Sequence, residues 1–144
     1  MANTATAVEI RALTSRDARE LAALALRLGG SETVAQWRSF LSRPHTVGIG
    51  VLGEGRIAGY AAGEVRVAFG LPAPAGWVEA FGIDLAQRGH GMGRELLREL
   101  LRRFREAGAS HVYTVVPVHD RSLAPFFRQV GLRDEPLSCL GCDL

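Results

Sequence analysis

Trp77-Val-Glu-Ala-Phe-Gly-Ile-Asp-Leu-Ala-Gln-Arg-Gly-His-Gly-Met-Gly-Arg94 decides how the rest of the chain is read. Its first half, 77–85, mixes aromatic, β-branched and small residues in near alternation and reads as a central strand. Its second half places glycine at 89, 91 and 93 and opens a leucine- and arginine-rich stretch with helical spacing. Glycines let backbone N–H groups crowd together and face outward, and a helix start adds partial positive charge. Strand, glycine turn and helix in that order make a seat for a phosphate or pyrophosphate, with Arg88 and Arg94 as nearby countercharges.

Two common phosphate loops fit this stretch badly. A P-loop needs Gly-Lys-Ser/Thr, and every basic residue of the chain other than histidine is arginine. That composition also excludes a lysine Schiff base. The dinucleotide fingerprint needs Gly-x-Gly-x-x-Gly on the first βαβ unit, with an acidic strand end about 20 residues on. Here the spacing is Gly-x-Gly-x-Gly, and Glu106 falls inside the helix.

Outward from this segment the elements follow in a simple order. Upstream, 8–13 reads as a short strand and Thr14 or Ser15 as the cap of a helix to Leu28, stopped by Gly29-Gly30. Ser31 is expected to cap a second helix through Phe40. Residues 46–52 and 56–66 form a hairpin about Gly53-Glu54-Gly55, and 70–76, with Pro72 and Pro74, is a loop. Downstream, a helix runs from Gly91 to about Ala107, with Leu96, Leu97, Leu100, Leu101 and Phe104 on its apolar face. A strand at 112–118, a helix at 122–130 ended by Gly131, and a last strand or hairpin in 132–144 complete the chain. The order is β-α-α-β-β-β-α-β-α-β: one α/β domain (1–144) around a mixed sheet.

The totals agree with one core. The chain has 144 residues, 47% apolar and 22% charged, with a formal charge of +2, which gives no footing for nucleic acid or an anionic membrane. The arginines of the 94–107 helix alternate with Glu95, Glu99 and Glu106, the pattern of a solvated face. No window reaches the roughly 18 apolar residues of a membrane span, and 1–8 lacks the basic start of a secretory leader. With only two cysteines, a reducing cytoplasmic setting is expected. Cys139 and Cys142 have zinc-ligand spacing but no second pair, so no metal site is assigned.

Against this background, Arg88-Gly-His-Gly-Met-Gly93 resembles the Gln/Arg-x-x-Gly-x-Gly/Ala signature of the GNAT acetyltransferase superfamily. Asp120-Arg-Ser-Leu-Ala-Pro-Phe-Phe127-Arg-Gln-Val-Gly131-Leu132 is similar to that family's second motif, Asn-x-x-Ala-x-x-x-Tyr-x-x-x-Gly-Phe. The opening, 8–17, resembles the family's usual start, so the likeness spans nearly the whole chain. It implies a mixed, mostly antiparallel sheet flanked by helices, and acetyl-CoA as co-substrate. Phe81, Gly82 and Ile83 would offer backbone groups to pantetheine and the thioester. Arg88, Gly89, His90, Gly91, Met92, Gly93 and Arg94 would take the phosphates, and Asp120 and Phe127 would complete the cofactor side.

The activity so implied is transfer of an acetyl group to a primary amine of a small molecule of polyamine, aminoglycoside or amino-acid type. A protein or peptide amine, or acetyl-CoA sensing without turnover, are the alternatives, and the reading leaves room for a homodimer. An amine arrives protonated and needs a base. Glu79 is the candidate: on an alternating strand it shares a face with Phe81 and Ile83. A carboxylate that only orients substrate or pairs with an arginine is the other reading. The family's acid-donating tyrosine is Phe127 here, leaving water, His119, Ser122 or Tyr113 for that role. The acceptor pocket is expected from 29–40, 67–76 and the last strand.

Overall fold

The hairpin read between Thr46 and Arg66 forms the middle of the sheet. In the computed structural model, which describes residues 8–144, β2 (Thr46–Gly53) and β3 (Arg56–Arg66) are joined through Glu54 and Gly55. Both turn residues have positive φ, 52° and 75°, as a two-residue type I′ turn requires. β1 (Glu9–Ala12) pairs with β2, and β4 (Ala75–Ile83) with β3, all antiparallel; β5 (His111–Thr114) lies parallel to β4. The sheet order is β1-β2-β3-β4-β5, so the long strand of the decisive segment sits next to the edge. Residues 1–7, most of the stretch read above as lacking a leader, lie outside the described residues.

Local chemistry sets the helix ends. Asp17 accepts the Thr14 N–H (2.8 Å) ahead of α1 (Ala18–Arg27). Thr33, rather than Ser31, caps α2 (Val34–Ser42): its hydroxyl accepts the Gln36 N–H (3.1 Å), and the Gln36 side chain accepts the Thr33 N–H (2.8 Å). The Thr-x-x-Gln spacing allows this reciprocal pair, which Ser31 cannot make. α3 (Met92–Glu106) stops before Gly108 and α4 (Leu123–Val130) at Gly131, with φ of 95° and 114°. Among the described residues, no helix is long and apolar enough to cross a membrane.

α3 and α4 cover one face of the sheet and α1 and α2 the other. Leu96, Leu97, Leu100 and Phe104 of α3 pack with Ile49, Val51, Ala61 and Val78, whereas Leu21 and Leu24 of α1 and Trp37 of α2 pack with Ile57, Tyr60 and Ala62. Phe104 is fully buried in a seat that two glycines make: a Cβ at Gly76 would lie 2.5 Å from its ring, and one at Gly63 2.6 Å.

Two expectations fail at the C-terminal end. β5 is four residues long, ending at Thr114 instead of Val118, because the chain parts from β4 there. Residues 132–144 form no strand; Pro136 has no N–H for a ladder, and Leu140 and Leu144 point to solvent. The observed order thus ends on α4.

Candidate active site

β4 loses one of its two neighbours halfway along. It pairs with β3 from Ala75 to Ile83, but with β5 only from Ala75 to Val78. The Thr114 hydroxyl donates to the Val78 carbonyl (3.1 Å) where that ladder ends. From Glu79 onward one edge of β4 is open. The Asp84 N–H donates to the Ala58 carbonyl (2.8 Å), so strand alternation turns the backbone groups of Gly82 toward β3 and those of Phe81 and Ile83 toward the open edge. The Ile83 carbonyl takes the Arg88 Nε–H at 3.3 Å. Free strand edges pair readily with an extended amide-bearing ligand.

The same stretch holds a β-bulge. Ala62 stands opposite Ala80 and Gly63 opposite Val78, which leaves Glu79 as the extra residue. This corrects the expectation that Glu79 shares a face with Phe81 and Ile83. Phe81 and Ile83 pack toward α3 and α4, with the Phe81 ring stacked 5.0 Å from Phe126, while Glu79 and Ala80 face α2. The Glu79 carboxylate is held by the Arg66 guanidinium at 3.2 Å, which in turn lies 4.6 Å over the Trp77 ring. The arginine pairing that the sequence left open is therefore present, on the face opposite the phosphate loop's support.

Past β4 the chain makes a 3-10 turn (Leu85–Gln87) and enters the glycine loop. Gly89 and Gly91 have φ of 87° and 75°, and nothing lies within 4 Å of where a Cβ would stand. Backbone conformation, not crowding, demands glycine there, and the space above the loop is open. Gly91 is the N-cap of α3 and no side chain caps it; the first bond within the helix is from the Glu95 N–H to the Gly91 carbonyl (3.1 Å). The N–H groups of Met92, Gly93 and Arg94 thus face outward at the positive end of a 15-residue helix. A Cβ at Gly93 would lie at ordinary contact distance, 3.4 Å, from Phe81 of β4 and Phe126 of α4, so this helix end rests against both. The His90 ring contacts the Gln87 carbonyl (3.2 Å), which fixes the loop rather than freeing the imidazole. Arg94 is exposed and, among the described residues, has no carboxylate within ion-pairing distance. Open amides, an open strand edge and an arginine fit the pyrophosphate and pantetheine of coenzyme A.

The second motif is arranged around α4. Asp120 accepts the N–H groups of Ser122 and Leu123 (both 3.0 Å) and the Ser122 hydroxyl (2.9 Å). Those bonds hold its carboxyl below the usual carboxylate range and make it a brace for the start of α4. Phe127 is buried, its ring 5.9 Å from that of Phe81. Of the candidate acids, Tyr113 is buried against Trp77, Ser122 is bonded to Asp120, and His119 is exposed.

On the other face, a groove of about 490 Å³ separates α2 from β4, lined by Glu32, Gln36, Trp37, Phe40, Arg43 and Glu79 among others. Part of 29–40 lines this groove; 67–76 and the tail do not. Tyr60, which the sequence reading missed, lies across β4: its hydroxyl is 2.8 Å from where a Gly82 Cβ would be. Burial first, and the Glu32 charge second, push its phenol up to about 12, so it stays a proton-bearing donor at neutral pH. Its alternation with Ala62 in the hairpin was the available signal, but only the register sets Tyr60 beside Gly82.

A family model described as the acetyltransferase (GNAT) family matches residues 11–132. The N-alpha-acetyltransferase RimI of Mycobacterium tuberculosis (strain ATCC 25618 / H37Rv) is 36% identical over 145 residues, spanning 94% of this chain and 88% of that protein. Aminoglycoside N-acetyltransferase AAC(6')-Iy in complex with CoA superposes with a TM-score of 0.81 at 14% identity, covering 94% of this chain and 99% of that one. Ribosomal-protein-alanine N-acetyltransferase from Brucella melitensis biovar Abortus 2308 gives 0.77 at 21%, covering 96% and 100%. At such identities the two structures bear on the fold alone. With the forked sheet and the uncapped glycine helix start already in place, the chain belongs to the acetyltransferase (GNAT) family and is an acetyl-CoA-dependent N-acetyltransferase.

Proposed function

We propose that the acceptor is the α-amine of a peptide or protein N-terminus. The observation that carries this choice is the 36% identity, across 94% of the chain, with an N-alpha-acetyltransferase. The similarity to aminoglycoside acetyltransferases is one of fold, so the small-molecule acceptor of the sequence reading takes second place.

Acetyl transfer forms a C–N bond at the amine, breaks the thioester C–S bond, and moves one proton from the amine to the sulfur. The chain's residues divide that work by position. The amides at Met92–Arg94, with Arg88 and Arg94, anchor the phosphates. The open edge at Phe81 and Ile83 aligns the extended arm, and an N–H there stabilises charge developing on the acetyl oxygen. Glu79, at the bulge on the α2 side, takes the amine's proton when the acceptor's ammonium competes with Arg66 for its carboxylate. Phe127 has no proton to give, and a thiol's ordinary pKa of about 8.5 lets the thiolate leave without a dedicated acid.

Thiol release measured over a panel of acceptors tests this reading. Short peptides with free N-termini should be turned over and their N-acetylated counterparts should not. Turnover confined to polyamines or aminoglycosides would move the acceptor to small molecules. Coenzyme A binding with no thiol release from any amine would point to sensing.

A further inference from the structure

The groove between α2 and β4 contains three charged side chains, and two are already matched. Arg43 lies 4.8 Å from the Phe40 ring centroid and 3.7 Å from Glu64, and Glu79 is held by Arg66. Glu32, just before the cap of α2, has neither an ion pair nor a hydrogen bond among the described residues. Its carboxylate folds back over Gly30, so it stands at the end of the groove nearest α1, and its charge reaches the Tyr60 phenol. Trp37 and Phe40 also line the groove. An unmatched carboxylate in a groove whose other charges are already paired favours a cationic group there.

Building on the N-terminal acceptor, we infer that this groove receives the acceptor's first side chain and that Glu32 selects for a positively charged one. Glu79 at the β4 end then takes the α-amine, and the two carboxylates act on different groups of the same residue. The preference is modest because Glu32 is solvent-exposed, and it weakens with salt.

Binding, rather than turnover, separates this inference from the peptide assignment. Argininamide, norleucinamide and glutamic acid α-amide share the α-amine and differ in side-chain charge. Titrated calorimetrically into coenzyme A-saturated protein at low ionic strength, argininamide should bind roughly three- to tenfold more tightly than norleucinamide, with glutamic acid α-amide weakest. Glu32→Gln should level the three, and Glu32→Arg should favour the glutamic acid amide, with coenzyme A affinity unchanged in both. Equal affinities in the wild type, or an arginine preference that survives Glu32→Gln, would overturn the inference. If the binding pattern holds while no peptide is acetylated, the peptide assignment falls and the charge preference of the groove stands.

Discussion

Gly91 offers the cleanest separation of backbone strain from ligand contact. Its φ is 75°, and a Cβ added there would have nothing within 4 Å. Alanine therefore meets no protein atom, and its cost is the left-handed backbone alone, about 1–2 kcal/mol. For a chain of this length an unfolding entropy of about 2 cal/mol/K per residue makes that a fall in Tm of roughly 3–7 °C. Asparagine tolerates the same backbone region, so Gly91→Asn should keep most of that stability. Both variants nevertheless place a side chain over the open amides of Met92–Arg94. If the phosphates lie there, each should weaken coenzyme A at least about tenfold, or about 1.4 kcal/mol. Thermal unfolding of the apo protein and calorimetric titration with coenzyme A give the two readouts. A Gly91→Asn protein that binds coenzyme A like the wild type would refute the placement of the phosphates on this loop. A Gly91→Ala protein as stable as the wild type would refute the strain argument.

Glu79→Gln should lower kcat by about 100- to 10,000-fold with coenzyme A affinity unchanged; full activity would reduce the carboxylate to the partner of Arg66. Gly76→Ala should destabilise the fold by about 1–3 kcal/mol in denaturant unfolding, since its Cβ would lie 2.5 Å from the buried Phe104 ring, and adding Phe104→Leu should restore part of the loss. Asp17 accepts two bonds from Arg11 (2.9 and 3.0 Å) and one from Thr14 (2.8 Å), and the Arg11 guanidinium draws its pKa below the ordinary 3.8. Because the folded value is the lower one, its contribution is present above pH 3.8 and is lost as pH falls through the folded value. Asp17→Asn should thus cost about 1–2 kcal/mol at neutral pH, and the gap from the wild type should close in acid unfolding curves.

The sequence by itself determined the features that depend on local backbone chemistry. Glycines at 89, 91 and 93 between a strand and a leucine-rich helix pointed to a tight turn and an uncapped helix start, and Gly89 and Gly91 use the positive φ that glycine allows. The hairpin about Glu54-Gly55 and the glycine stops at 108 and 131 were legible for the same reason, since each is a property of a few consecutive residues. Tertiary pairing decided the rest. Pro117 argues against a ladder as far as Val118, but nothing in 112–116 places its end at Thr114, because a strand's partner lies elsewhere in the chain. The face of Glu79 is the sharpest case: period-2 counting gives one side of the sheet, and a single extra residue opposite Ala62 and Gly63 gives the other. Side-chain alternation follows the pairing register, and one unpaired residue inverts it for everything beyond. Tyr60 over Gly82 and Glu32 at the end of the α2 groove depend in the same way on which strand and helix lie alongside, information that only the assembled sheet contains.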